Sequence, residues 1–219
     1  MKLLEFYNQE RVALREELCN LKGCQITFLT LSVTATGLIL GVAATLASTR
    51  MLGVVFLFPL VLLLPSWWVF FDKATTITRI VGYYRIIEKL ILGSHKASKF
   101  LGWENSLGEF RKQQAQKKLQ ICVPPECKWS DVILLRTTHR YWVISYYTFF
   151  TLSGLCILIA SIMIYNTIWV LSLLVPFSLF LLSAIWNARV VWELINGRYS
   201  YDNNEYFWLQ ILDVRQRKK

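Results

Sequence analysis

Apolar residues run along this chain in long unbroken blocks. Gly23 to Thr49 contains no charged residue, and neither does Met51 to Phe71. Tyr141 to Ala188 is a longer uncharged run, enough for two more segments. A helix needs about 20 apolar residues to cross the hydrocarbon of a bilayer. The blocks therefore predict four transmembrane helices near 25–47, 51–71, 143–165 and 167–188, each pair joined by a very short turn. The fold class expected is all-α: an integral membrane protein of two helical hairpins with cytosolic helical segments.

The segments between the blocks carry helical spacing. Leu3, Phe6, Tyr7, Leu14, Leu18 and Leu21 form an apolar stripe over 3–22, and Gly23 is expected to separate that helix from the first span. Pro59 and Pro65 lie in the second span, where each removes a backbone donor, so a kinked helix is expected. Trp67 and Trp68 read as interfacial anchors. Beyond Lys73 the helix continues, with Ile77, Ile80, Val81, Tyr84, Ile87 and Ile91 on one face and Gly93 as its stop. A further helix is expected over 103–120, broken by Val123-Pro124-Pro125. Ser130 is a plausible cap for a helix running without interruption into the third span. Gly197 ends the helix that leaves the fourth, and Tyr206-Phe207-Trp208-Leu209 reads as an interfacial or packing segment. The resulting divisions are 1–24, 25–71, 72–140, 141–188 and 189–219.

Composition agrees: hydrophobic residues make up 55% and charged residues 17%. The net charge of +10 adds an orientation. Of 24 Lys and Arg, Arg50 alone falls in an outer turn. Positively charged loops stay cytosolic, which puts both termini and the segment 72–140 inside. The first block follows Glu5, Glu10, Glu16 and Glu17, so the start does not read as a secretory signal. The cysteines imply no disulfide framework. Cys19/Cys24 and Cys122/Cys127 share a Cys-x4-Cys spacing that is not a usual zinc knuckle, so ordinary thiols and no metal are expected.

The most specific pattern lies on the first span. Thr27, Thr30, Thr34, Gly37, Gly41, Ala44 and Ser48 recur three and four apart, giving one helix face of small and hydroxyl residues. Such a face lets backbones approach closely. It reads either as a helix–helix seam, within or between subunits, or as the lining of a narrow polar pathway in a homo-oligomer. The spans carry no Asp, Glu, Lys, Arg or His, which argues against a coupled transporter. Asn187, at a span end, and several Ser, Thr and Tyr are their polar groups. Enzyme signatures and cofactor motifs are absent, and His95 and His139 lie on separate segments.

The middle segment holds thirteen basic against six acidic residues. Attraction to anionic lipid headgroups, about 1 kcal/mol per basic residue near the surface, explains such a bias by itself. An anionic ligand, such as a nucleotide messenger, is a second reading. Arg79, Arg85, Arg111 and Arg136 would be its forked phosphate donors, and Tyr83, Tyr84 and Trp103 its stacking surfaces. Nucleic acid is not expected, because acids interleave with the bases.

The order of elements over 3–92, with Thr76-Ile-Thr-Arg-Ile-Val-Gly-Tyr-Tyr-Arg-Ile-Ile-Glu88 as exit helix, resembles the SLATT and four-span membrane effectors of bacterial antiviral systems. Those proteins pair a cytosolic helix with a tight hairpin and a basic amphipathic helix; the second hairpin here departs from the two-span form. The resemblance implies an oligomeric membrane effector or channel, switched by a cytosolic ligand or protein partner. The alternative is a non-conducting accessory or scaffold subunit of a larger membrane complex.

Overall fold

The computed structural model describes residues 2–45, 50–92, 128–137, 139–163 and 167–217. Every regular element among them is a helix. In chain order these are α1 (Lys2–Thr45), a 3-10 stretch (Arg50–Leu57), α2 (Phe58–Leu92), α3 (Trp129–Ile133), α4 (Arg140–Met163), α5 (Thr167–Asn196) and α6 (Tyr201–Arg217). Four helical stretches are long and apolar enough to cross a membrane: Glu5–Thr45, Gly53–Lys89, Arg140–Met163 and Leu173–Asn196.

Several expectations are corrected. Gly23 separates nothing: α1 is one helix of 44 residues. A single glycine in a helix interior costs only about 1 kcal/mol relative to alanine, which helix-forming flanks absorb. The second apolar block begins as a 3-10 stretch to Leu57. Pro59 falls in the first turn of α2, where no donor is needed, and only Pro65 lies in the helix interior. The helix expected from Ser130 into the third apolar block is interrupted. Lys128 precedes its first residue, and its N–H donates to the Asp131 carboxylate at 3.3 Å. The helix then closes after Ile133 through Leu135, at φ 55. Arg136 N–H caps the Asp131 carbonyl at 2.8 Å, and α4 starts afresh at Arg140. The stretch from Tyr201 onward is helical to Arg217. Gly93, the helix expected over 103–120, Val123-Pro124-Pro125, Cys122 and Cys127 lie outside the described residues.

The chain divides into two compact units. The apolar unit takes Cys24–Lys73 and Tyr141–Val191; the polar unit takes Met1–Gly23, Ala74–Arg140 and Trp192–Lys219. In the apolar unit, α1 and α2 run antiparallel: the Gln25 side-chain amide donates to the Phe70 carbonyl at 2.9 Å, and Ala43 packs in one cluster with Phe56. An aromatic core centres on Trp67, Phe70 and Phe149, all fully buried. Trp67 stacks on Phe149 at 6.0 Å, and Phe70 meets Trp142 edge-on at 6.3 Å. Inside a bilayer helices gain little from burying apolar area against each other. Each aromatic pair of this geometry contributes about 0.5–1.5 kcal/mol beyond its buried area. The far end is closed by an apolar cluster of Ala43, Phe56, Ala160 and Leu173.

In the polar unit, Leu18 of α1 packs on Ile77 and Val81 of α2, with Leu21, Ile80 and Tyr201 around them. The Tyr83 hydroxyl donates to Glu10 at 2.8 Å, a second tie between α1 and α2.

Candidate functional site

Two features stand out, one in each unit. The first is the small-residue face of α1. The residues of α1 that the fold buries in the apolar unit are Gln25, Ser32, Thr36 and Ala43. These recur at helical period on one side. Thr27, Thr30, Thr34, Gly37, Gly41 and Ala44 lie on the opposite side, and all are exposed. A side chain added at Gly37 or Gly41 would meet nothing within 4 Å. Among the described residues, then, this face packs on no other helix. Ser48 lies outside the described residues.

The second feature is a clasp between α2 and α6 in the polar unit. Gly82 brings the two backbones together; a Cβ there would lie 2.8 Å from the Glu205 nitrogen. Around that crossing, Arg85 pairs with Asp202 at 2.9 Å and Glu205 at 3.3 Å, and its guanidinium sits over the Tyr201 ring at 5.6 Å. Lys89 also pairs with Glu205. The buried Asn204 side-chain amide donates to the Thr78 hydroxyl at 3.3 Å and to the Tyr199 and Ser200 carbonyls. Trp208 closes the end, its indole N–H donating to the Arg79 carbonyl at 3.0 Å. His139 packs beside Tyr201, with ring centres 5.8 Å apart.

This clasp uses residues first read as a ligand site. Arg85 is buried and engaged by carboxylates of its own chain. Tyr84 is buried, while Arg79 is exposed and lies over the Tyr199 ring at 5.6 Å. Six residues apart on one helix, Arg79 and Arg85 point roughly 120° apart and do not converge. Trp103 and Arg111 lie outside the described residues. Sequence reasoning missed Gly82, Asn204 and Glu205 as partners. For Asn204 and Glu205 the advance signal was the charged, amide-rich stretch after Gly197. No group of His, Cys, Asp and Glu suited to a metal occurs among the described residues.

A third element concerns placement. Tyr146 on α4 donates to the Ala184 carbonyl on α5 at 3.2 Å, and the two helices are antiparallel. Tyr141 and Arg189, five residues away in opposite chain directions, therefore reach one level, about 7.5 Å beyond that bond. Phe70 on α2 meets Tyr141 at 5.9 Å, which brings Lys73 to the same end. Trp68, Tyr141 and Trp186 are exposed near this level. Exposed aromatic rings beside basic residues are the composition of a membrane–water interface.

Comparison with known proteins returned nothing to transfer: no family model, no curated protein and no solved structure matches this chain significantly.

Proposed function

We propose that this chain is a multi-pass protein of the bacterial inner membrane that self-associates through the outward face of α1 and acts as a membrane effector or channel. Its polar unit lies in the cytosol with both termini and sets the state of the assembly. The observation that carries this reading is the arrangement of α1. Gln25, Ser32, Thr36 and Ala43 face the interior of the apolar unit, while the side built for close backbone approach is exposed. Lipid gives no reason to concentrate Gly37, Gly41 and four other small or hydroxyl residues on one face; a second copy of the same face does. The ring of Trp68, Tyr141 and Trp186 beside Lys73 and Arg189 supports the bilayer position, and the basic bias supports its orientation. Lipid headgroups are the first partner of the basic segment, and an anionic ligand or cytosolic protein the second. The reading is non-enzymatic and follows the effectors that the element order resembles.

Regulated expression with a membrane-potential dye tests it. An effector or channel depolarises cells, and Gly41→Leu abolishes the effect while the protein still inserts. The scaffold reading has one observation in its favour: an outward small-residue face also seats another protein's span. Unchanged potential, with recovery of the chain as a stable hetero-complex, would decide for the scaffold.

A further inference from the structure

The interior of the apolar unit contains polar atoms that the fold itself leaves unmatched. Ser32 Oγ, Thr36 Oγ1, Trp67 Nε1, Ser153 Oγ and Asn187 Oδ1 are buried and have no hydrogen-bond partner among the described residues. Each of these residues is at most 1% exposed. In lipid such groups have no bulk water to turn to, so they must be met inside the fold.

The hydroxyls on the outer side of α4 show what a helix does with a hydroxyl that has no other use. Thr148, Thr151 and Ser161 each donate to the carbonyl four residues back, at 2.9, 2.7 and 2.7 Å. Ser153, on the buried side of the same helix, does not, and neither do Ser32 and Thr36 on the buried side of α1. Their orientation leaves them directed at the bundle interior.

Register brings them together. Ala43 of α1 and Ala160 of α4 share one cluster, and the two helices run parallel, since each is antiparallel to α2. Seven residues toward the N-terminus from this pair stand Thr36 and Ser153, both about 10 Å along the bundle. Four residues further stand Ser32 and Phe149, and Phe149 stacks on Trp67. Asn187 lies on the buried side of α5, one turn beyond Ala184, toward the end marked by Arg189. Its amide nitrogen is taken by the Ser183 carbonyl at 2.8 Å, so the oxygen is the free end.

We infer that these five atoms bind water: a short file that enters at Asn187, passes Trp67, Ser32 and Ser153, and ends at Thr36. The atom set fits water. It mixes hydroxyls, an N–H donor and a carbonyl acceptor, and carries no charge. The Ala43–Phe56–Ala160–Leu173 cluster then becomes the dry seal beyond the file. This deepens the membrane-effector reading, on which it rests, by putting the aqueous route inside each chain and leaving the α1 small-residue face as a seam.

Silver ion, close to water in size and reactive toward thiols, tests the inference in phosphatidylcholine vesicles. Single-cysteine chains would carry Asn203→Cys, Ser153→Cys, Ala160→Cys or Leu182→Cys, or keep only the native Cys156, which is buried one turn from Ser153. Protection from alkylation after unfolding is the readout. Ser153→Cys should react about tenfold or more faster than Ala160→Cys, because a thiol needs water to ionise. Cys156 repeats the measurement without altering the interior. Equal, slow reaction of Ser153→Cys, Cys156 and Ala160→Cys, with Asn203→Cys fast, would overturn the water file. Leu182→Cys, on the outer side, reports separately on the membrane: reaction as fast as Asn203→Cys would sink the bilayer placement and leave the comparison of Ser153 with Ala160 intact.

Discussion

Gly82→Ala is the sharpest probe of the clasp. The added methyl would lie 2.8 Å from the Glu205 nitrogen and 2.9 Å from both the carbonyl carbon and the Cβ of Asn204. Carbon atoms pack at about 3.5–4.0 Å, so α6 must move off α2 by roughly 0.7–1 Å. The obstacle is largely backbone, which has no rotamer to change. Overpacking of this kind costs about 1–3 kcal/mol. The Asn204–Thr78 bond is already 3.3 Å and would fail, removing about 1 kcal/mol more. Against this stands the helix-propensity gain of alanine over glycine, about 1 kcal/mol. The balance is a loss of about 1–3 kcal/mol in α6 docking, a factor of roughly 5–150 in the docked-to-undocked ratio. Amide hydrogen exchange over 201–208 measures that ratio, and exchange there should quicken by the same factor. Gly37→Ala is the control: its methyl meets nothing within 4 Å, so only the propensity gain remains. Exchange over 201–208 that is unchanged or slower in Gly82→Ala would refute the close crossing.

Other outcomes follow from the same contacts. Arg85→Lys keeps the charge but loses the fork that reaches both Asp202 and Glu205; α6 exchange should rise by about 1 kcal/mol, and any loss of cellular activity should track that loosening rather than loss of a ligand. Full activity with an undocked α6 would separate the clasp from function. Gly41→Leu should reduce cross-linked oligomer far more than Leu40→Ile, and equal recovery would mean that the α1 face meets only lipid. A reporter fused after Lys219 should read cytosolic, and a cysteine at position 166 should label from outside; periplasmic reporting from Lys219 would overturn the orientation.

The four long apolar helices were legible because charge-free runs of this length have few other uses. The departures have identifiable causes. Gly23 reads as a breaker, yet its flanks continue α1, with Leu18 anchored on Ile77 and Val81. The break between α3 and α4 is made by Leu135 at φ 55, a place that glycine usually takes, so no residue type announces it. The Thr137 hydroxyl then accepts from His139 N–H at 3.2 Å and turns the chain into α4. Helix α6 carries Tyr, Asn and Asp, which favour turns locally; its helicity is tertiary, held by Asn204, Glu205 and Trp208 on α2. The small-residue face was legible as a pattern, but which way it turned was not. That depends on whether the Gln25–Ser32–Thr36–Ala43 side or the Gly37–Gly41 side of α1 faces the interior, and periodicity is the same for both. The unmatched interior hydroxyls were illegible for a related reason: Ser153 and Thr151 have the same sequence context, and only packing tells the buried one from the exposed.

Helices α1 and α2 each contribute residues to both units. As one helix from Lys2 to Thr45, α1 carries Glu10 and Leu18, which contact α2, and further along Ser32, Thr36 and the Gly37–Gly41 face. Helix α2 likewise carries Gly82 and Arg85 at one end and Trp67 and Phe70 at the other, with no break between Phe58 and Leu92. Release of α6 removes the ion pairs on Arg85 and the tryptophan on the Arg79 carbonyl, and takes Tyr201 from the Leu18–Ile77–Val81 cluster that packs α1 on α2. A ligand or partner needs differential affinity for the docked and released states to act through this element. The exposed Asp202, and Lys89 beside Glu205, are where a charged partner would exchange for the existing pairs. A charged partner acting on the polar unit would have to compete with the pairs that Asp202 and Glu205 already make with Arg85.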